Sequence, residues 1–345
     1  MKKVLGMIGF ISMILLCFQP VTSLAEKETS NDINDFSYEV LFPENQKDEK
    51  VGYYDLLVHP GEKQVVHMKL SNTSNQPMKV AITISSAKTN GNGVAIFSPS
   101  DIPKDSSLKY DLSKIMTGPK DVLLAPNSQT IVDLAIEVPE KVFEGYIAGG
   151  IQLKPVLKEE TSKKDEQVVL NKFAFVIGVL LSESEIKNIK PELKLNDVSV
   201  KLKDTSYTLF ANFSNTKSVF AEELTATIKL KKKGDKKALL EVSKENLRMA
   251  PNSIMELPIF LEGQKVTAGE YTADIKMTTK KSGESWHWTN NFTFSKIEAE
   301  QINKQESLQK ESPRNYWRWI IGIVVILLVI SSLFLLYLKK KTPIK

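Results

Sequence analysis

The chain has 345 residues, 42% of them hydrophobic and 25% charged, with a formal charge of +5 and one cysteine. The charge sits at the ends: without Lys2, Lys3, Lys339, Lys340, Lys341 and Lys345, 40 basic residues face 41 acidic ones. So balanced a middle has no electrostatic footprint for nucleic acid and no steering field toward strongly anionic polymers.

Lys2 and Lys3 open an apolar run, Val4 to Phe18, that ends near Ser23-Leu24-Ala25, the small-x-small pattern of signal peptidase. Residues 1–25 therefore read as a cleaved signal peptide. The cysteine, Cys17, lies inside it, behind a bulky Leu16 where lipid acylation needs a small residue. The mature chain is then free of thiols, which excludes disulfides, a cysteine nucleophile and a cysteine-built metal site. About 290 residues remain between the two ends, enough for two domains with their own cores.

From Phe36 the pattern is β. Phe36, Tyr38, Val40 and Phe42 alternate with other residues, and apolar or β-branched runs follow at Val65–Leu70, Val80–Ile84, Thr130–Val138, Tyr146–Leu153 and Phe173–Leu181. Turn chemistry separates them, at His59-Pro60-Gly61, Asn90-Gly91-Asn92-Gly93, Thr117-Gly118-Pro119 and Ala125-Pro126-Asn127-Ser128. The charged stretch 183–191 reads as a linker. A second series follows: Leu193–Leu202, Tyr207–Phe213, Leu224–Leu230, Ala238–Val242, Ile254–Phe260, Tyr271–Thr278 and Trp286–Phe294. Many short strands at this spacing predict an all-β ectodomain of two immunoglobulin-like sandwiches in tandem, over 36–182 and 192–296. An internal echo relates them. Ser71-Asn72-Thr73 and Ala125-Pro126-Asn127-Ser128 recur as Ser214-Asn215-Thr216 and Ala250-Pro251-Asn252-Ser253. Residues 297–315 are polar and read as a solvated stalk, with a helix as one form it could take, lifting the domains off the membrane.

Ile320 to Leu338 is a run of about nineteen uncharged residues, long enough to cross a bilayer. Tyr316, Trp317, Trp319 and Tyr337 flank it as interfacial aromatics, and Lys339, Lys340 and Lys341 follow. The expectation is a single transmembrane helix over 316–338 with a cytoplasmic basic tail at 339–345. The intervening domains then lie outside the cell membrane, facing the wall.

Catalytic and metal patterns are missing. His59, His67 and His287 lie on separate segments without metal-ligand spacing, and there is no G-x-S-x-G elbow or phosphate loop. No catalytic residue, metal or cofactor is expected. Two recognition candidates remain. Trp286 and Trp288 flank His287, so both indoles share one strand face, as core or as a platform for a protein partner. Tyr53 and Tyr54 are adjacent, so one points inward and the other outward, where a ring can stack on a sugar.

Leu41-Phe42-Pro43-Glu44-Asn45-Gln46, then Tyr53-Tyr54-Asp55-Leu56 and Pro60-Gly61, resembles the opening of the WxL-interacting proteins of low-GC Gram-positive bacteria. Asn90-Gly91-Asn92-Gly93, Phe143 to Ile151, Phe173 to Gly178, Met249 to Ser253 and Ala268 to Tyr271 extend the resemblance over the whole chain. It implies a non-enzymatic cell-surface scaffold, with peptidoglycan bound by the first domain and WxL-domain surface proteins by the second. Asn45, Tyr53 and Tyr54 are then the candidate peptidoglycan contacts, and Trp286 and Trp288 the candidate partner contacts. Two alternatives stay open, a wall-modifying hydrolase with dispersed carboxylates and a host-directed immunoglobulin-like adhesin.

Overall fold

The computed structural model describes residues 35–156, 173–203, 206–261 and 263–310. The first unit opens with β1 (Phe36–Leu41), β2 (Tyr54–Leu57), β3 (Lys63–Asn72) and β4 (Met78–Ser86). A short hairpin follows, β5 (Lys88–Thr89) and β6 (Ala95–Ile96), then one helical turn, α1 (Leu112–Ile115). β7 (Met116–Thr117), β8 (Asp121–Leu124), β9 (Ser128–Glu137), β10 (Ile147–Val156) and β11 (Phe175–Ser182) complete the unit. The second unit runs β12 (Leu193–Lys203), β13 (Ser206–Asn215), β14 (Ala221–Lys232) and β15 (Leu240–Met249). It continues with β16 (Ser253–Ile259), β17 (Gly269–Thr279), β18 (Ser285–Phe294) and the helix α2 (Lys296–Lys310).

Each unit is a pair of sheets closed over one apolar core. In the first, a sheet of order β1-β3-β9-β7 faces one of order β2-β11-β10-β4-β8. Alternate residues point inward: Val66, Met68 and Leu70 from β3 meet Ile151 and Leu153 from β10 and Ile177 and Val179 from β11. All pairings among these strands are antiparallel except β2 with β11, which run parallel with Tyr54 opposite Val179. In the second unit the orders are β12-β13-β16 and β15-β14-β17-β18. Their core is built from Phe213, Met255, Ile228, Ile275, Met277 and Phe294.

The repeated quartets occupy equivalent corners. Asn72 stands opposite Ser128 in the β3–β9 register, and Asn215 opposite Ser253 in the β13–β16 register. The amide of Asn72 donates to the carbonyls of Gln76 (2.8 Å) and Ala125 (3.0 Å). That of Asn215 donates to the carbonyls of Val219 (2.7 Å) and Ala250 (3.0 Å). Ser128 and Ser253 close each turn by donating to the carbonyl three residues back. Asn127 and Asn252 both take φ 49°, a left-handed conformation that asparagine tolerates better than other side-chain-bearing residues. One asparagine thus ties two chain reversals together in each sandwich.

Three sequence expectations change here. The chain is mostly β rather than all-β, since α2 is a genuine helix that packs on the second unit. A capping box starts it: Ser295 Oγ accepts from the Glu298 amide while Glu298 accepts from the Ser295 amide. Ala299 and Ile302 are buried in the second core, and Asn303 exchanges two hydrogen bonds with the backbone of Val266. Residues 296–303 are therefore docked, not a free stalk. The fold is also corrected at its membrane end: among the described residues no helix is long and apolar enough to cross a membrane, and the last one described, α2, is polar. The expected signal peptide (1–25), transmembrane helix (316–338) and basic tail (339–345) lie outside the described residues.

The corner asparagines set a stability prediction. Asn215→Ala leaves two carbonyls without their donor at a site of zero exposure, at about 1–3 kcal/mol per unpaired group. Chemical denaturation is expected to lower the midpoint of this variant well beyond that of a surface control, with an unchanged slope.

Candidate functional site

The two units meet in a buried joint. The β5–β6 hairpin of the first unit reaches the Asn215 corner of the second. Thr89, 1% exposed, accepts from the Ala250 amide at 2.9 Å and lies 2.6 Å from Ser253 Oγ. Because Ser253 spends its hydrogen on the Ala250 carbonyl, Thr89 is the donor in that second contact. Beside it, the buried Asp105 accepts from Ser214, and Asn252 donates to Ser107 at 3.1 Å. Backbone bonds cross as well, from Arg248 N to Gly93 O at 2.7 Å and from Tyr146 N to Ser218 O at 2.6 Å. The second needs Gly145: its φ is +79°, and a Cβ there would stand 2.2 Å from Ser218 O. An apolar cluster of Ala87, Ala148, Leu180 and Ala250 seals the joint.

Four aromatic side chains gather at the rim of that cluster. Tyr53, Phe97 and Tyr146 come from the first unit and Phe220 from the second, all half-buried. The Phe220 ring lies 6.3 Å from Phe97 and 6.0 Å from Tyr146, with the Arg248 guanidinium 4.1 Å above it. Lys47 stands 5.1 Å over the Tyr146 ring. Two open clefts flank this ridge. One, of about 570 Å³, runs along Phe97, Val176 and Gly178. The other, of about 660 Å³, runs along Asp55, Tyr146 and Lys190. Tyr53, Leu180, Phe220 and Arg248 line both, so the two form one trough between the units. Gly178 of β11 lines its floor, and Gly150 of β10, opposite it in register, lies under Phe97. A Cβ on Gly150 would fall 2.4 Å from the carbonyl oxygen of Phe97, so only glycine lets that aromatic segment cross the sheet.

The ionic groups of the trough are paired among themselves. Lys47 binds Asp55 at 2.8 Å, Arg248 binds Glu222 at 3.2 Å, and Lys281 binds Glu222 from the other side. Burial, reinforced by Asp55, pushes the Tyr53 hydroxyl above its ordinary value, and burial pushes Tyr146 up to about 12. Both phenols stay protonated donors at any physiological pH. Among the described residues neither hydroxyl has a hydrogen-bond partner, and no group of His, Cys, Asp or Glu is placed to hold a metal.

The sequence candidates divide. Tyr53 lies on the trough. Tyr54, its neighbour, is fully buried and donates to the His67 carbonyl at 2.8 Å, which ties the two sheets together. Tyr54 is thus corrected from a sugar contact to a core residue. Asn45 is a clamp: its amide donates to the Leu57 carbonyl at 2.9 Å, and its own carbonyl accepts from the Leu57 amide at 3.0 Å. Gln46 does the same for the next turn, donating to the Tyr53 carbonyl and accepting from the Asp55 amide. The Pro43-Glu44-Asn45-Gln46 segment therefore holds the loop that presents Tyr53. Trp286 and Trp288 are not brought to the trough. They sit half-buried on the edge strand β18, opposite Met277 and Ile275 on its inner face, with Trp288 5.7 Å from Phe213. Phe97, Tyr146, Phe220 and Arg248 were not among the candidates. Tyr146 carried a signal as the start of the apolar run Tyr146–Leu153, and Phe220 carried none.

Residues 36–155 match a family model described as the peptidoglycan binding domain of a WxL Interacting Protein, and residues 164–304 match that family's host binding domain. β11, which pairs within the first unit, falls inside the second match. No curated protein matches the chain. Among solved structures, the CupB2 chaperone of Pseudomonas aeruginosa is 14% identical, over 69% of this chain and 97% of that one, with a TM-score of 0.27. The class 5 fimbriae chaperone CfaA is 15% identical, over 74% and 99%, with a TM-score of 0.28. Superpositions this loose carry no argument, and the architecture rests on the strand pairing above.

The joint predicts an acid response. Burial alone would raise Asp105, but hydrogen bonds from Ser107 and Ser214 outweigh it and hold the carboxyl below its ordinary value. Asp111 is likewise held low: burial is outweighed by Lys104, Ser113 and Ser86. A depressed carboxylate stabilises the fold above its unfolded pKa of about 3.9, and that contribution is lost as pH falls through the folded value. Melting temperature is expected to drop steeply below about pH 4. Asp105→Asn should lower it at neutral pH and flatten, without abolishing, the acid slope, because Asp111 remains.

Proposed function

We propose a function from one premise, that the chain belongs to the WxL-interacting protein family. It is a non-enzymatic cell-surface scaffold that binds peptidoglycan through its first unit and WxL-domain surface proteins through its second. The observation that carries this reading is the pair of adjacent matches, both to binding domains. The ion-paired carboxylates of the trough also favour it over a hydrolase, since Asp55 and Glu222 are each engaged by a cation. The place of action proposed is the outside of the cell, facing the wall. Bound there, the protein holds a surface partner against peptidoglycan without a catalytic cleft.

A second reading comes from the description of the second match as a host binding domain. In it, the second unit takes a host protein, alone or beside a WxL protein. Either partner has the same surface to use. β18 is an edge strand of ten residues, and an edge can accept a partner strand. The exposed halves of Trp286 and Trp288 are the proposed side-chain contacts beside it.

Incubation of the full chain with extracted surface proteins and, separately, with host matrix proteins distinguishes the readings. WxL-domain proteins are expected in the first eluate. Capture of matrix proteins alone overturns the scaffold reading in favour of the adhesin, and release of muropeptides by the chain overturns it in favour of a hydrolase. If the indoles contact the partner, Trp286→Ala or Trp288→Ala weakens capture by about 2 kcal/mol. Because both also pack on the core, a melting curve of each variant is needed. Unchanged capture by folded variants removes the tryptophans from the contact.

Retention on insoluble peptidoglycan is expected to depend weakly on salt, since the balanced charge between the two ends of the chain supplies no field toward the polymer. Collapse of retention between low and physiological salt contradicts this.

A further inference from the structure

We infer that the trough between the two units is the saccharide site of this protein, so that the second unit contributes directly to glycan binding. The inference rests on the peptidoglycan reading and names the site and the ligand chemistry for it. Three features of the trough point to sugar rings.

The first is the set of flat apolar surfaces. Tyr53, Phe97 and Phe220 present half-buried rings around a floor lowered by Gly178, whose missing side chain leaves Tyr53 as the adjoining wall. Sugar rings have C–H faces that pack on such surfaces, while a glycine floor lets a bulky chain approach the sheet. The second is hydrogen-bonding capacity. Tyr53 and Tyr146 bring two permanently protonated phenols with no partner among the described residues, suited to the hydroxyl and acetamido oxygens of an N-acetylated sugar. The third is charge. Arg248 and Lys281 are both engaged by Glu222, Lys47 by Asp55, and Lys190 by Glu284 at 2.6 Å. Lys187, on the same wall, pairs with Glu185 at 2.9 Å, so every cation of the trough has a carboxylate partner and only Glu222 is shared. One net positive charge, held in ion pairs, offers little to a polyanion or to a peptide carboxylate. The trough suits an uncharged, hydroxyl-rich chain.

Phe220 is the diagnostic residue. It belongs to the second unit, yet it supplies the ring between the two clefts and is positioned by the joint, through the stacked Arg248. If the first unit binds glycan by itself elsewhere on its surface, Phe220 is irrelevant to retention.

The test is a pelleting isotherm of the full chain on insoluble peptidoglycan and on chitin, an uncharged N-acetylglucosamine polymer without stem peptides. The wild-type chain is expected to bind both. Tyr53→Ala and Phe220→Ala are expected to lose about tenfold or more in affinity for both polymers. Tyr146→Phe, which keeps the ring and the joint but deletes the hydroxyl, is expected to lose severalfold. Should Phe220→Ala lower the melting temperature, Tyr146→Phe and Tyr53→Ala decide the matter. Wild-type affinity in these folded variants overturns the site while leaving the peptidoglycan reading in place. Binding to peptidoglycan, but neither to chitin nor to peptidoglycan glycan strands stripped of their stem peptides by an amidase, overturns the saccharide class in favour of the stem peptide. Failure of the wild-type chain to bind either polymer removes the peptidoglycan reading itself.

Discussion

Thr89 between Ala250 and Ser253 is the contact on which the rest of this molecule depends. It places a hydroxyl of the first unit inside the Asn215 corner of the second, bonded to the Ala250 amide and to Ser253. A buried polar contact of this kind contributes modestly to stability when made and costs more when broken, because each separated partner stays desolvated. That asymmetry favours one relative placement of the units over a range of them. The aromatic ridge follows from it, since Phe220 lies in the turn that leaves β13 and Arg248 near the end of β15, just before the turn into β16, and β13 and β16 are the two strands that meet at the corner. Two sandwiches on a free tether would have no trough.

The same corner is used in two ways. Asn72 and Asn215 make the same two bonds to the same two kinds of carbonyl. Only the second corner is covered. There Asn252 is 8% exposed and reaches Ser107 of the other unit, whereas the equivalent Asn127 is exposed and bonds its own unit through Asn75. The same turn is a finished surface in one place and a socket in the other, and the difference lies in the hairpin inserted after β4.

Period-two alternation made the long strands legible, and Asn and Pro chemistry made the repeated corners legible, because both depend on residues close in sequence. β15 was seen only at its start. Its later residues, Ser243 to Glu245, are polar, and it is an edge strand whose register with β14 is broken by bulges. The trough was not legible, since it is assembled from four aromatics spread between residues 53 and 220 with no shared period. The most distinctive motif, Pro43-Glu44-Asn45-Gln46, pointed to the right loop for an indirect reason: it scaffolds Tyr53 and does not itself face the trough. Tyr54 misled because adjacency gives opposite faces without saying which residue is buried.

The central claim is that the two units form one body through this joint, and backbone amide hydrogen exchange on the full chain tests it most directly. The amides of Tyr146, Arg248 and Ala250 donate across the joint to Ser218, Gly93 and Thr89. They are expected to exchange as slowly as amides in the central strands β13 and β14, opening only with larger-scale unfolding. Exchange of all three at the rate of an exposed loop, while β13 and β14 stay protected, would mean that the units separate freely and would contradict the account.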